Sequence, residues 1–109
     1  MICNQFDVVD VPLQFYDRPL SKIRKAPVLS SRTFNEKNGA TILAMITSAE
    51  RSSGFGDVKI LNWEEAGLRK PCIIRLKIFT LDNALLIARK GELKSNDRSF
   101  FKKQLSKMI

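Results

Sequence analysis

Short runs of β-branched and hydrophobic residues dominate the first half of the chain. The Val-rich run at 6–11 predicts a strand, and further strands are predicted at 26–31 and 41–47. Asn and Gly residues at 35–39 predict a turn between the last two. The polar stretch 17–25 contains a proline and predicts a loop. The first half therefore predicts short strands joined by turns and loops.

The strongest strand pattern in the sequence lies at 72–81, where hydrophobic and basic residues alternate. Ile74 and Leu76 share one face of the predicted strand, and Arg75 and Lys77 lie on the other. Alternating basic side chains of this kind indicate a polar surface that faces either solvent or a ligand.

Weaker patterns predict strands at 57–61 and 85–93, and Ser95 is a suitable cap for a helix that begins near Asn96. The apolar stripe of this helix consists of Phe101, Leu105, Met108 and Ile109. Many short strands followed by one helix predict a mainly β fold, a small and strongly curved barrel forming a single domain over 1–109.

The net charge narrows the range of partners. The 109 residues include 19 Lys and Arg against 11 Asp and Glu, a net charge of +8. Residues 51–109 hold thirteen of the basic residues and six of the acidic ones. This field attracts nucleic acid, an acidic protein segment or an anionic membrane surface. Because no apolar run approaches the roughly 20 residues that cross a bilayer and no secretory signal is visible, we expect a cytoplasmic protein without a membrane partner.

The sequence contains no His, which removes the usual general base of neutral-pH catalysis. Two cysteines cannot supply the four ligands of a structural zinc site. Cys3 and Cys72 lie far apart in the sequence and show no C-x-x-C spacing, so they are predicted to be reduced, buried thiols of a cytoplasmic protein. We expect the protein to use neither a metal ion nor another cofactor.

Successive segments of the chain resemble the MazF/PemK toxin family in the order in which that family carries them. They are DVVDVPLQFYD at 7–17, SKIRKAPVLS at 21–30, ILAMITS at 42–48, GLRKPCIIRLKIFTLD at 67–82 and GELKS at 91–95. The resemblance implies an SH3-like barrel of the CcdB and PemK type, a homodimer, and sequence-selective cleavage of single-stranded RNA. It also implies a protein antitoxin whose acidic tail fills the RNA groove.

The resemblance assigns the family's chemistry to Arg24 and Thr47. RNA is cleaved when its 2′-hydroxyl attacks the adjacent phosphate, so the protein must stabilise charge on the phosphate oxygens. The planar guanidinium of Arg24 suits this task and is a poor proton acceptor. Thr47 can donate a hydrogen bond to a phosphate oxygen, and Ser48 can assist it.

Other residues are expected to hold RNA around the cleaved bond. Candidate contacts to flanking phosphates or unpaired bases are Tyr16, Ser21, Lys22, Lys25, Ser48 and Lys77. For Arg69, Lys70 and Arg75, RNA contact is also considered, but a solvated surface is the favoured interpretation.

Three positions depart from the family pattern: Phe6 and Leu20 replace glycines, and Lys25 replaces the proline after the catalytic arginine. The proline would fix the backbone direction beside Arg24. An endoribonuclease is the leading interpretation, and two alternatives to it stay open. The first, suggested by Lys25, is a degenerate relative that binds RNA or an antitoxin without cleaving RNA. The second is a CcdB-like protein that poisons DNA gyrase, although the matched Arg24 and Thr47 favour RNA chemistry.

Overall fold

The computed structural model describes residues 1–14, 21–49 and 54–108. The strands in this part are β1 (Asp7–Gln14), β2 (Ser21–Pro27), β3 (Ala40–Ser48), β4 (Val58–Lys59), β5 (Cys72–Asp82) and β6 (Ala88–Glu92). The helices are α1 (Arg32–Asn38) and α2 (Ser95–Met108), with a short 3₁₀ turn at Asn83–Leu85.

The described strands form two antiparallel sheets, ordered β2-β1-β6 and β3-β5-β4. An isolated bridge between Val28 and Leu43 connects the end of the first sheet to the second. The predicted mainly β fold with a C-terminal helix is confirmed. Within the described residues, the strands make two bridged three-stranded sheets rather than one closed hydrogen-bonded barrel.

Strand β1 lies in the centre of its sheet and is buried on both faces. Val8 packs into a cluster with Phe101, whereas Val9 and Val11 pack into a second cluster with Leu43. A continuous Val-rich run is the sequence pattern expected of a strand that is covered on both sides. The core therefore consists of two clusters, one on each side of β1.

The turn predicted at 35–39 is wrong, because these residues form most of helix α1 and its end. The Ser31 hydroxyl caps the helix by accepting a hydrogen bond from the Phe34 N–H at 3.1 Å. Gly39 ends the helix with a φ of 66°. Asn35 is its one buried side chain, so the segment has no hydrophobic periodicity from which a helix could be predicted.

The loop predicted at 17–25 is wrong for residues 21–25, which belong to β2. This strand pairs with β1 at the edge of the described sheet. Lys22, Ile23 and Arg24 are all exposed. An edge strand tolerates such side chains, so the segment lacks the alternation by which a half-buried strand is usually predicted.

Phe6, which stands where the related family has glycine, adopts a φ of 72°. A bulky residue rarely adopts this conformation, and glycine does so without steric cost. Packing offsets the strain: the side chain is buried, and its ring meets the Phe101 ring edge-on with centroids 6.2 Å apart. The Arg98 guanidinium and the Lys102 ammonium lie over the same ring at 5.5 and 5.4 Å. The other substituted glycine position, Leu20, lies outside the described residues.

The segment between β4 and β5 is held against β6 by two glycines. Gly67 has a φ of 83°, and a Cβ atom there would collide with the Lys90 carbonyl oxygen. A Cβ atom at Gly91 would collide with the Ala66 carbonyl oxygen. Both positions require glycine because the two backbones approach so closely. This contact fixes the start of residues 68–70, which border the cleft described next.

Candidate active site

A cleft of about 560 Å³ opens between β2, the end of β3 and the first half of β5. Its polar lining consists of Arg24, Lys25, Arg69, Lys70, Arg75 and Lys77, together with the hydroxyl residues Thr47 and Ser48. Among the described residues, no acidic side chain lines the cleft. Six basic side chains around one concave surface produce a positive potential suited to a polyanion.

Arg24 lies in the middle of β2, opposite Val11 of β1, and its side chain is exposed on the cleft. The sequence placed this residue at the end of a loop. In the structure, the pairing with β1 holds its backbone in a regular strand, so the ladder fixes the direction in which the side chain leaves.

Thr47 and Ser48 are the last two residues of β3, where they pair with Ile73 and Cys72 of β5. Both are half-buried and both line the cleft with Arg24. The two predicted catalytic residues therefore come from different sheets and meet on one surface.

Lys25 also lines the cleft, but its ammonium is paired with a carboxylate. Its Nζ lies 3.2 Å from Oδ1 of Asp10, its cross-strand neighbour on β1. Lys90 Nζ lies 3.5 Å from the other oxygen of Asp10. The residue that replaces the family's proline thus adds an interstrand ion pair beside Arg24, and its charge is partly neutralised by Asp10.

The remaining predicted contacts divide into three groups. Lys77 lines the cleft, as predicted for a phosphate contact. Lys22 is exposed on β2 but lies outside the cleft lining. Tyr16 lies outside the described residues, as does the side chain of Ser21. The roles of all four in RNA binding stay predictions.

Three basic residues for which a solvated surface was favoured also line the cleft, namely Arg69, Lys70 and Arg75. Arg69 and Lys70 are exposed there, and RNA contact by any of the three stays a prediction. Arg75 was visible as part of the basic face of the predicted strand at 72–81. Its ion pair with Asp57, at 3.3 Å, joins positions 18 residues apart and gives no local signal. The positions of Arg69 and Lys70 on the cleft depend on the close contact of the preceding turn with β6. A backbone contact of this kind leaves no hydrophobic pattern in the sequence.

Both cysteines are free and buried, as predicted. Cys72 borders the cleft, and its thiol donates a hydrogen bond to the Lys70 carbonyl oxygen at 3.2 Å. Burial raises the pKa of this thiol, although the nearby charges of Lys70 and Lys25 act in the opposite direction. The thiol is therefore protonated at neutral pH and is a weak nucleophile.

The described residues contain no group of three or more His, Cys, Asp or Glu side chains placed to hold a metal ion. Neither described helix is long and apolar enough to cross a membrane.

The fold is that of a small, mainly β protein with a cleft lined by basic side chains. A family model described as "PemK-like, MazF-like toxin of type II toxin-antitoxin system" matches residues 4–109. The chain therefore belongs to this family of toxins. No curated protein matches the sequence.

Solved structures share the fold at low sequence identity. An endoribonuclease in complex with its cognate antitoxin, from a mycobacterial species, superposes with a TM-score of 0.77 at 13% identity, covering 96% of this chain and 92% of that one. The MazF of a MazE–MazF complex from Deinococcus radiodurans gives 0.76 at 15%, covering 99% and 96%. The Mycobacterium tuberculosis toxin MazF-mt6 gives 0.72 at 16%, covering 93% of each chain.

Proposed function

We propose that this toxin is an endoribonuclease that cleaves single-stranded RNA in the cleft without a metal ion. The observation that carries the proposal is the meeting of Arg24 and Thr47 on one basic surface, although they belong to different sheets. Family membership and the endoribonuclease named among the structural neighbours support the same reaction.

The reaction is attack of the ribose 2′-oxygen on the adjacent phosphorus, with departure of the 5′-oxygen of the next nucleotide. The 2′-hydroxyl gives up its proton to solvent and the departing 5′-oxygen takes one up, so the immediate products are a 2′,3′-cyclic phosphate and a 5′-hydroxyl end. Arg24 stabilises the negative charge that develops on the nonbridging oxygens, because its donors form a planar fork. Thr47 donates a hydrogen bond to one of these oxygens, and Ser48 lies beside it for the same purpose.

Affinity comes from the basic residues around these two. Lys25 and Lys77 contact phosphates on either side of the cleaved bond, and Lys22 and Ser21 extend the contact along β2. Tyr16 is the candidate for stacking on an unpaired base. Because each phosphate contact releases counterions, RNA affinity falls steeply with salt concentration.

The basic cleft is also the proposed binding site of the antitoxin. The toxin acts in the cytoplasm as a homodimer and is inhibited by a protein antitoxin whose acidic segment occupies the basic cleft. This part is supported by membership of a type II toxin-antitoxin family and by the antitoxin complexes among the structural neighbours. Light scattering at micromolar concentration should give a dimer, and an acidic antitoxin peptide should displace RNA.

The test of cleavage is incubation of a long, unstructured RNA with the purified protein in EDTA. We expect discrete fragments from the wild type and almost none from Arg24→Ala. Fragments that appear only after magnesium is added would contradict a metal-independent reaction. RNA binding without cleavage would instead support the degenerate binding relative, and gyrase inhibition without RNA binding would support the CcdB-like activity.

A further inference from the structure

A second guanidinium of the cleft is fixed by a carboxylate from outside it. Arg75 lies on β5 opposite Met45 of β3 and lines the same cleft as Arg24. Its Nε donates to Oδ1 of Asp57 at 3.5 Å, and its Nη2 donates to Oδ2 at 3.3 Å. Two parallel contacts along one edge of the guanidinium fix its plane as well as its position.

Asp57 is itself held in place by a turn of the backbone. The Gly54 N–H donates to Asp57 Oδ2 at 2.7 Å, and the Asp57 N–H donates to the Gly54 carbonyl oxygen at 3.2 Å. Although burial acts to raise the pKa of Asp57, the hydrogen bonds from Gly54 and Arg75 outweigh it and hold that pKa below its ordinary value. The carboxylate is therefore ionised at neutral pH.

Burial distinguishes this pair from the surface ion pairs of the protein. The Asp57 side chain is 9% exposed and the Arg75 side chain 29% exposed, whereas both members of the Arg32–Glu36 pair are more than half exposed. A partly buried bidentate pair restricts an arginine far more than an exposed one does. Arg75 therefore enters the cleft in a preset orientation.

We propose that Arg75 binds a phosphate of the RNA beside the cleaved bond and that Asp57 is the positioning residue that orients it. The proposal rests on the proposed RNA cleavage and adds a substrate contact on the β5 wall of the cleft, across from β2. A preoriented guanidinium loses little side-chain freedom when it binds, so its effect is on substrate affinity rather than on the chemical step.

The chain offers a matched control for loss of charge. Arg89 forms a comparable ion pair with a buried aspartate, with its Nε 3.0 Å from Asp7 Oδ1, but it lies outside the cleft lining. Arg89→Gln removes the same charge as Arg75→Gln and likewise breaks an ion pair with a buried aspartate, together with the contact of Arg89 to Glu92 at 3.7 Å. If the two variants differ in RNA affinity, the cause is the position of the lost charge in the cleft and not the loss of one positive charge as such.

The experiment measures KM and kcat for a short RNA containing a mapped cleavage site, together with binding of its noncleavable 2′-deoxy analogue by fluorescence anisotropy across a salt series. We expect Arg75→Gln to raise KM and the dissociation constant about tenfold and to lower the salt slope by about one. The kcat value stays near that of the wild type. Arg89→Gln should change neither constant more than about twofold.

The positioning role is tested with a double-mutant cycle. Asp57→Asn weakens the contact that orients Arg75, so it should raise KM. It keeps the charge of Arg75, so the salt slope should stay unchanged. In the double variant, the effect on KM should equal that of Arg75→Gln alone, because Asp57 acts through Arg75. Circular dichroism and thermal melting identify variants that fail to fold, and Arg75→Lys then replaces Arg75→Gln, with the charge kept and the fork lost.

The outcomes separate the two proposals. If the wild type does not cleave RNA, the proposed function fails. The salt series is then run with an unstructured RNA of the same length, so that it still decides whether Arg75 binds phosphate. If the wild type cleaves and Arg75→Gln behaves like Arg89→Gln, the assignment of Arg75 is overturned. Additive effects of Asp57→Asn and Arg75→Gln would overturn the positioning role of Asp57.

Discussion

Two regions of the molecule use their charged residues in opposite ways. In the contact between α2 and the rest of the fold, Asp97 is fully buried and accepts hydrogen bonds from the Leu61 and Asn62 N–H groups at 2.8 and 2.9 Å. In the cleft, basic side chains remain half-buried or exposed around a concave surface. The first arrangement satisfies a buried polar side chain with hydrogen bonds inside the protein, and the second leaves basic side chains accessible on a concave surface.

The difference predicts which properties each region controls. The α2 contact contains Phe101, which is fully buried against Phe6, so substitutions there should change folding stability. On the cleft, Arg24 is exposed and Thr47 is half-buried, so substitutions there should change activity more than stability. Each of the following predictions separates one effect from the other.

The largest effect is expected from Phe101→Ala. Removing a fully buried aromatic ring costs about 3–5 kcal/mol of unfolding free energy, because the cavity cannot close completely. Urea unfolding followed by circular dichroism measures this. The fraction that remains folded should still cleave RNA at the wild-type rate. A loss of less than about 1 kcal/mol would show that the core on this side of β1 is not tightly packed.

Arg24→Ala should have nearly as large an effect, on activity alone. Loss of one preorganised charge-stabilising donor slows cleavage by roughly 10²–10³-fold. Unfolding free energy should change by about 0.5 kcal/mol or less, since the side chain is exposed on an edge strand. Single-turnover cleavage and urea unfolding test the two halves of this prediction.

Two companion variants sharpen the result for Arg24. Arg24→Lys keeps the charge but loses the fork, so it should cleave almost as poorly as Arg24→Ala. Lys22→Ala, on the same strand, should raise the dissociation constant for RNA more than it lowers the maximal rate. If Arg24→Lys cleaves like the wild type, Arg24 supplies only a local charge.

Asp97→Asn should destabilise the protein by about 1–3 kcal/mol, because an amide cannot accept both backbone hydrogen bonds with the strength of a carboxylate. The kcat and KM values for RNA should stay unchanged below the melting temperature. Differential scanning calorimetry and steady-state cleavage provide the two measurements. A change in KM without loss of stability would mean that α2 reaches the cleft.

The smallest effect is expected from Lys25→Pro, which restores the family's residue. Val28 exchanges backbone hydrogen bonds with Phe6 and Asp7, so the N–H of residue 28 points toward β1. Because successive backbone N–H groups of a strand point in opposite directions, the nitrogens of Pro27 and of residue 25 point away from β1. A proline at position 25 therefore removes no hydrogen bond to β1. Asp10 keeps its contact with Lys90. Unfolding free energy should change by less than about 1 kcal/mol. The kcat of cleavage should be retained, while KM rises modestly because the proposed phosphate contact of Lys25 is lost. Loss of cleavage would show that the Lys25–Asp10 pair aims Arg24.

Hydrophobic pattern was enough to predict the strands that have one clear buried face or a Val-rich core, such as β1, β3 and β5. It was not enough for α1, whose cap signals at Ser31 and Gly39 were present without an apolar stripe. Strand β2 was missed for a related reason, since its exposed positions carry the polar residues of an edge. Local patterns therefore fail where burial is slight.

The residues of the candidate site also fall into those that the sequence predicted and those that only the structure showed. Family resemblance supplied Arg24 and Thr47, and the structure places both on the cleft. The Asp57–Arg75 and Asp10–Lys25 ion pairs depend on strand pairing and on the path of a turn, which no local motif encodes. The sequence therefore indicated the two proposed catalytic residues but not the carboxylates that pair with the cleft's basic residues.

The most direct test of RNA cleavage by 2′-hydroxyl attack uses a substrate altered at one oxygen atom. After the cleavage site has been mapped in EDTA, two RNAs are compared that differ only by a 2′-deoxyribose at the nucleotide before the cleaved bond. The account predicts complete loss of cleavage of the altered RNA, with its binding to the wild-type cleft retained. Equal cleavage of both RNAs would contradict the account, because the attacking oxygen would then have to come from elsewhere.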